Sequence, residues 1–236
     1  MPFYSYYYDP TYVLVLIGVV ISLLASAKVK STFAKYSNYR NSRGMTGAEA
    51  ARQVLQSAGI RDVQIEHVSG NLTDHYDPRS KVLRLSDSVY GSTSVAAVGV
   101  AAHECGHAIQ HAHGYAPLKL RSVLVPVANF GSRIAWPLIL IGLLFNSKSS
   151  ILLIEAGIIA FSLAVLFQLI TLPVEFNASG RAIRILADSG IMYGDEIKAA
   201  RKVLSAAALT YVAAAASGIL QLLRLVLLTR GRRRND

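Results

Sequence analysis

The chain has 236 residues, 53% hydrophobic and 16% charged, with a mean hydropathy of +0.39; it is too apolar for an ordinary soluble domain and reads as an integral membrane protein. Its net charge of +10 does not point to nucleic acid, because the cations flank apolar runs: Lys28, Lys30, Lys35, Arg40 and Arg43 follow the first, and Arg230, Arg232, Arg233 and Arg234 follow the last. Such residues act as topology determinants and contacts for membrane lipids, and the single cysteine, Cys105, excludes an internal disulfide and suits a reducing compartment.

Tyr12 to Ala27 carries no charge and follows MPFYSYYYDP, whose tyrosines suit a membrane interface, so residues 1–27 are expected to form an N-terminal transmembrane helix. Without a basic start the segment does not read as a cleaved signal peptide. Residues 28–122 form the largest polar stretch. Within it, Thr46 to Ala58 opens on a capping box, Thr46 with Glu49, and continues with helical apolar spacing. Val63 to Val68 and Lys81 to Leu85 are short β-like runs on either side of NLTDHYDPRS, which reads as a turn punctuated by Asp-Pro.

A helix expected to begin near Ser92 or Ser94 then carries VAAVGVAAHECGHAIQHA. Residues 103 to 107 read His-Glu-Cys-Gly-His. On a helix His103 and His107 stand one turn apart on one face, so both imidazoles can reach one Zn²⁺, and Glu104 sits beside them to take a proton from water. A catalytic zinc keeps three protein ligands and an open position, so a third ligand must come from elsewhere. Cys105, two residues from His103, points away from that face. The polar stretch is thus expected to be a small α+β zincin-like cytoplasmic domain in an otherwise mainly α membrane protein.

Downstream, residues 123–172 hold two apolar arms, Val123 to Phe145 and Ile151 to Leu172, joined by the polar loop NSKSS, and read as a transmembrane hairpin. Arg133 interrupts the first arm and should face protein or water. Residues 173–202 return to amphipathic helical character after Pro173, and residues 203–236 form an apolar helix, containing Arg224, with a basic tail. This last helix is either a fourth span or an interfacial one. Residues 28–122 carry 12 Lys and Arg and residues 173–202 carry 5, against none in residues 1–11 and only Lys148 in the hairpin loop, so both polar segments are expected in the cytoplasm. A fully spanning last helix would leave the basic tail outside, against that rule.

Candidates for the third ligand lie on both sides of the hairpin. His113 has the spacing of a metzincin third histidine, and SGIMY at 189–193 faintly resembles the methionine turn of that group. Gln110, however, stands where that pattern needs a glycine to end the helix, and on a continuous helix His111 is about a turn too far along. Glu175 immediately follows the second arm, which returns the chain toward the motif helix. Zinc would satisfy its carboxylate, and Asn177 and Ser179 could hold a ligating histidine's other nitrogen; alternatively Glu175 caps a helix starting after Pro173.

The succession HECGHAIQH, with LTDHYDPRSKVLRLS before it and LPVEFNASGRA after it, resembles the YugP-like neutral zinc metallopeptidases over nearly the whole chain. It is similar in layout to the HtpX-like membrane gluzincins. The resemblance implies His103, His107 and Glu175 as ligands and Glu104 as base, although Ser179 stands where the HtpX-like pattern has an aspartate. The function expected is a zinc-dependent endopeptidase of the cell membrane, acting on membrane or membrane-proximal proteins from a cytoplasmic site. His75, Tyr76 and Arg181 are candidate oxyanion donors. The competing reading is a non-catalytic membrane scaffold with a structural zinc; a lipid- or prenyl-peptide-processing protease would differ only in substrate.

Overall fold

The computed structural model describes residues 9–145 and 148–233, so most of the tyrosine-rich start, Asn146 and Ser147 of the hairpin loop, and Arg234 lie outside the described residues. The fold is mainly helical: α1 (Tyr12–Ser37), α2 (Gly47–Ser57), β1 (Gln64–Val68), β2 (His75–Asp77), β3 (Val82–Ser86), α3 (Val95–Ala112), α4 (Ala116–Leu144), α5 (Lys148–Asp188) and α6 (Gly194–Arg233). Among the described residues four helices are long and apolar enough to cross a membrane, within Tyr12–Ser37, Ala116–Leu144, Ser150–Asp188 and Gly194–Thr229. The chain divides into two compact units, one of Met1–Leu24, Arg121–Ile170 and Tyr211–Asp236, the other of Ala25–Leu120 and Thr171–Thr210.

In the first unit α4 and α5 approach through small residues. A Cβ built on Gly131 would stand 2.8 Å from the Ala160 carbonyl oxygen, and one on Gly157 would stand 2.9 Å from that of Ala135. Such close backbones are how helices associate where lipid removes the hydrophobic incentive. Arg224 is 11% exposed; its guanidinium bonds Asp9 at 3.2 Å and lies over the Tyr12 ring at 4.1 Å, which accounts for a cation in an apolar helix. Arg133 is exposed on α4.

The second unit holds the sheet and the motif helix. The capping box is formed: Thr46 accepts from the Glu49 amide, and the Glu49 carboxylate accepts from the Thr46 amide at 2.8 Å. The strand order is β1-β3-β2, with β1 parallel and β2 antiparallel to β3. Here the structure corrects the sequence reading, because His75–Asp77 is a strand and the turn is confined to the residues after it. Asp74 secures this strand to its neighbour by accepting from the Ser86 amide and hydroxyl at 2.8 and 2.9 Å, and Asp77 folds the turn by accepting from the Arg79 amide and the Ser80 hydroxyl.

The core gathers around α3, whose small side chains, Ala97, Ala101, Ala102 and Cys105, are fully buried with Val54 of α2, Leu83 and Leu85 of β3, Leu186 of α5 and Ala200 of α6. Met192, of the SGIMY stretch, belongs to this core. A second correction concerns Pro173. It does not start a helix but lies inside α5, as Pro126 and Pro137 lie inside α4. An interior proline costs about 3 kcal/mol in water, yet long apolar helices tolerate it when neighbouring groups take up the freed carbonyl. Glu175 is therefore an interior residue of α5 and not a helix cap.

Candidate metal centre

Local sequence places the first two donors. Ser94 caps α3 by accepting from the Ala97 amide at 3.1 Å, and the helix runs unbroken to Ala112, so His103 and His107 stand one turn apart, edge to face, with ring centroids 4.8 Å from each other.

The third donor comes from α5. A Cβ built on Gly106 would stand 2.5 Å from the Ala178 carbonyl oxygen, so α3 and α5 cross with backbones in contact and only glycine fits at that point. Ala178 lies between Glu175 and Ser179. The crossing therefore delivers both to the histidines: the Glu175 carboxylate stands 3.3 Å from His103 Nε2 and 3.6 Å from His107 Nε2, and the Ser179 hydroxyl is 3.0 Å from His103 Nδ1. One donor atom from each of His103, His107 and Glu175 lies within 4.8 Å of the others.

The polar surroundings prepare these donors. Gln110 donates its amide to the Val174 carbonyl at 2.8 Å and to Asn177 Oδ1 at 3.0 Å, which turns its own oxygen toward His107 Nδ1 at 3.0 Å. An amide oxygen only accepts, so His107 carries its proton on Nδ1 and offers the Nε2 lone pair to the cluster. Arg181 extends the chain, donating to Asn177 Oδ1 at 2.7 Å, with its guanidinium over the Tyr115 ring.

Glu104 is 9% exposed and, among the described residues, no hydrogen bond holds its carboxylate. Cys105 lies on the opposite side of α3, donating weakly to the Ala51 carbonyl at 3.5 Å. Two imidazole nitrogens and a buried carboxylate oxygen, converging with the imidazole tautomer set from behind, are the donors Zn²⁺ takes at a three-ligand site.

Several sequence candidates stand apart from the cluster. His111 shares a 2.8 Å hydrogen bond with the Tyr76 hydroxyl, and His113 is the C-cap of α3. His75 is exposed on β2, its Nδ1 2.9 Å from the Thr73 carbonyl and its Nε2 3.5 Å from Arg84. Asn177 reaches His107 only through Gln110. Sequence reasoning noticed Gln110 only as a residue that prolongs the helix and passed over Gly106; the available signal was that Gln110 lies three residues after His107, on the same helical face.

A family model described as "Putative neutral zinc metallopeptidase" matches residues 11–230. The chain is 52% identical over 208 residues, which is 88% of this chain and 91% of the relative, to "Putative membrane protease YugP" of Bacillus subtilis (strain 168). No solved structure matches it.

Proposed function

The chain belongs to the "putative neutral zinc metallopeptidase" family, and from that footing we propose that it is a membrane-embedded zinc endopeptidase that cuts membrane or membrane-proximal proteins, with its site on the cytoplasmic side. The observation that carries this reading is the convergence of His103, His107 and Glu175, with Glu104 beside them and unengaged. Zn²⁺ held by the three would polarise a peptide carbonyl and make water acidic enough to attack at neutral pH.

The chain's own residues supply the remaining steps. Glu104 accepts the proton of the attacking water and passes it to the departing amine, which an unengaged carboxylate can do and a hydrogen-bonded one does less readily. Gln110 and Ser179 keep both imidazoles oriented throughout. Tyr76 is the donor we assign to the developing oxyanion. Its phenol is raised by burial and then by Asp62 and Asp77, so it stays neutral, and its partner His111 is one turn beyond His107. β2, which carries Tyr76, is an edge of the sheet, and an extended peptide can pair with such an edge.

A structural zinc would ordinarily be closed by four protein ligands, and among the described residues the cluster offers three. Glu104→Gln tests the mechanism. The purified variant should keep its zinc and lose about 100- to 10,000-fold of its peptide hydrolysis, the range a general base contributes. Cleavage at the parent rate with zinc bound would remove Glu104 from the mechanism.

A further inference from the structure

A cavity of about 690 Å³ lies in the same compact unit as the metal centre, between the polar end of α1 and the start of α6. Lys28 and Lys35 line it from α1, and Arg201 and Lys202 from α6. All four are exposed, and among the described residues no carboxylate lines the cavity. Among the described residues none of the four makes an ion pair; the Lys35 ammonium instead lies 5.5 Å from the Tyr36 ring. The floor is firm, since Thr32 and Tyr36 are each 8% exposed.

Periodicity explains why the cations meet. Lys28, Thr32 and Lys35 share one face of α1 at helical spacing, and Arg201 and Lys202 occupy the first turns of α6. Their place along each helix is equally specific. Lys28 is the first charge after the apolar run Tyr12 to Ala27, and Lys202 the last before the apolar run that begins at Val203. On α1 the cations thus stand where an apolar segment meets polar surroundings, the level at which lipid phosphates lie; on α6 Val203 and Leu204 still pack into the core around α3, and it is the shared cavity that brings Arg201 and Lys202 to the α1 cations.

We propose that this cavity is a binding site for the phosphate headgroup of an anionic phospholipid, with Lys28, Lys35, Arg201 and Lys202 as its cationic walls. Four cations around one cavity, with Asp195 acting on Lys202 from outside its lining, repel one another and gain from a shared anion. A phospholipid phosphate arrives at that depth without leaving the membrane, while its acyl chains stay beside the apolar parts of α1 and α6. The proposal is independent of zinc and of peptide cleavage, so it can fail or stand without the catalytic reading.

The test uses the purified full chain in dodecyl maltoside, with Tm followed as phosphatidylglycerol, phosphatidylcholine or sn-glycerol 1-phosphate is added. Phosphatidylglycerol should raise Tm saturably, and the other two should not at equal concentration. The triple variant Lys35→Gln, Arg201→Gln, Lys202→Gln should need at least about tenfold more phosphatidylglycerol, because each cation near an anionic lipid contributes about fivefold. A control triple removing the same charge from exposed positions, Arg52→Gln, Arg61→Gln, Arg79→Gln, should match the parent. Equal responses from the two triples would reduce the effect to overall charge and overturn the site. An equal rise with glycerol phosphate would assign the cavity to a soluble phosphate ester, and no response in the parent would also overturn the proposal. Should the cavity triple not fold, phosphatidylglycerol retained on Lys35→Gln and on Arg52→Gln, counted by native mass spectrometry, decides the matter: the proposal requires loss in the first alone.

Discussion

Helix α3 presents His103 and His107 through its own periodicity, one turn apart, whereas α5 presents Glu175 and Ser179 only because its backbone meets that of α3 at Gly106. The first arrangement would survive in any stable helix. The second depends on a crossing of two helices whose contacting residues lie more than sixty positions apart in the chain. The contrast separates what local spacing can specify, a pair of candidate donors, from what packing must add, the third.

Removing the packed contribution should have the largest effect. In Glu175→Ala two neutral imidazoles remain, too few for a catalytic zinc site, and the purified variant should hold essentially no zinc by elemental analysis. His113→Ala should hold as much as the parent, since His113 only ends α3. The reverse result, zinc lost from His113→Ala and kept in Glu175→Ala, would assign the third ligand to the motif helix and erase the contrast.

The crossing itself can be broken without touching a donor. In Gly106→Ala the new methyl would meet the Ala178 carbonyl oxygen at 2.5 Å, so the helices must separate. Overpacking of this kind costs about 1–3 kcal/mol. Zinc should fall further than stability does, because the separation moves Glu175 and Ser179 away from both histidines at once. Chemical denaturation and metal content measured on the same preparation distinguish this outcome from simple unfolding, in which the two would fall together.

These residues also show why some of the molecule was legible in the sequence. The placing of His103 and His107 on one helical face could be read from spacing alone, as could the cap Thr46 and the apolar runs of the first three long helices; Ser94 was one of two candidate caps, and the last helix stood as either a span or an interfacial helix. Glu175 was reachable as one of several candidates, because chain return after a hairpin limits where a third ligand can lie. Gly106 was silent: nothing in a sequence distinguishes a glycine required by a carbonyl 72 residues away from one that is merely small. His75–Asp77 was hidden for a related reason, since a short polar run ending in the Asp of Asp-Pro satisfies turn chemistry locally and becomes a strand only by pairing with β3. Pro173 misled because its penalty is a rule for helices in water.

Gln110 lies between the two modes, a local neighbour of His107 that is oriented by α5. In Gln110→Leu the Nδ1 proton of His107 loses its acceptor, and the tautomer that offers Nε2 is no longer enforced. Competition with a chelator should show zinc affinity reduced about 10- to 100-fold, the usual effect of losing a group that orients a ligand. Ser179→Ala should fall toward the lower end of that range, because a hydroxyl can rotate to suit either tautomer and so enforces less. Equal affinity in parent and Gln110→Leu would show that helix geometry alone orients His107.

The smallest effect is expected on the other face of the same helix. Cys105 lies inside the motif yet is fully buried and 3.5 Å from the Ala51 carbonyl, so Cys105→Ala should retain zinc and activity. It should cost about 1 kcal/mol, the loss of one small buried group. Burial, and then the charge of Glu104, push its thiol well above the ordinary value of 9.0. The sign follows: below about pH 9 the thiol is neutral in both states and its contribution is intact, while above it the unfolded chain releases a proton that the folded chain retains. Parent stability should therefore fall more steeply than that of Cys105→Ala as pH rises past that value, measured by denaturation of both proteins across the range. Parallel pH curves would mean that the thiol ionises as freely in the folded protein as in the unfolded one, and that this face of α3 is open to water instead of closed against α2.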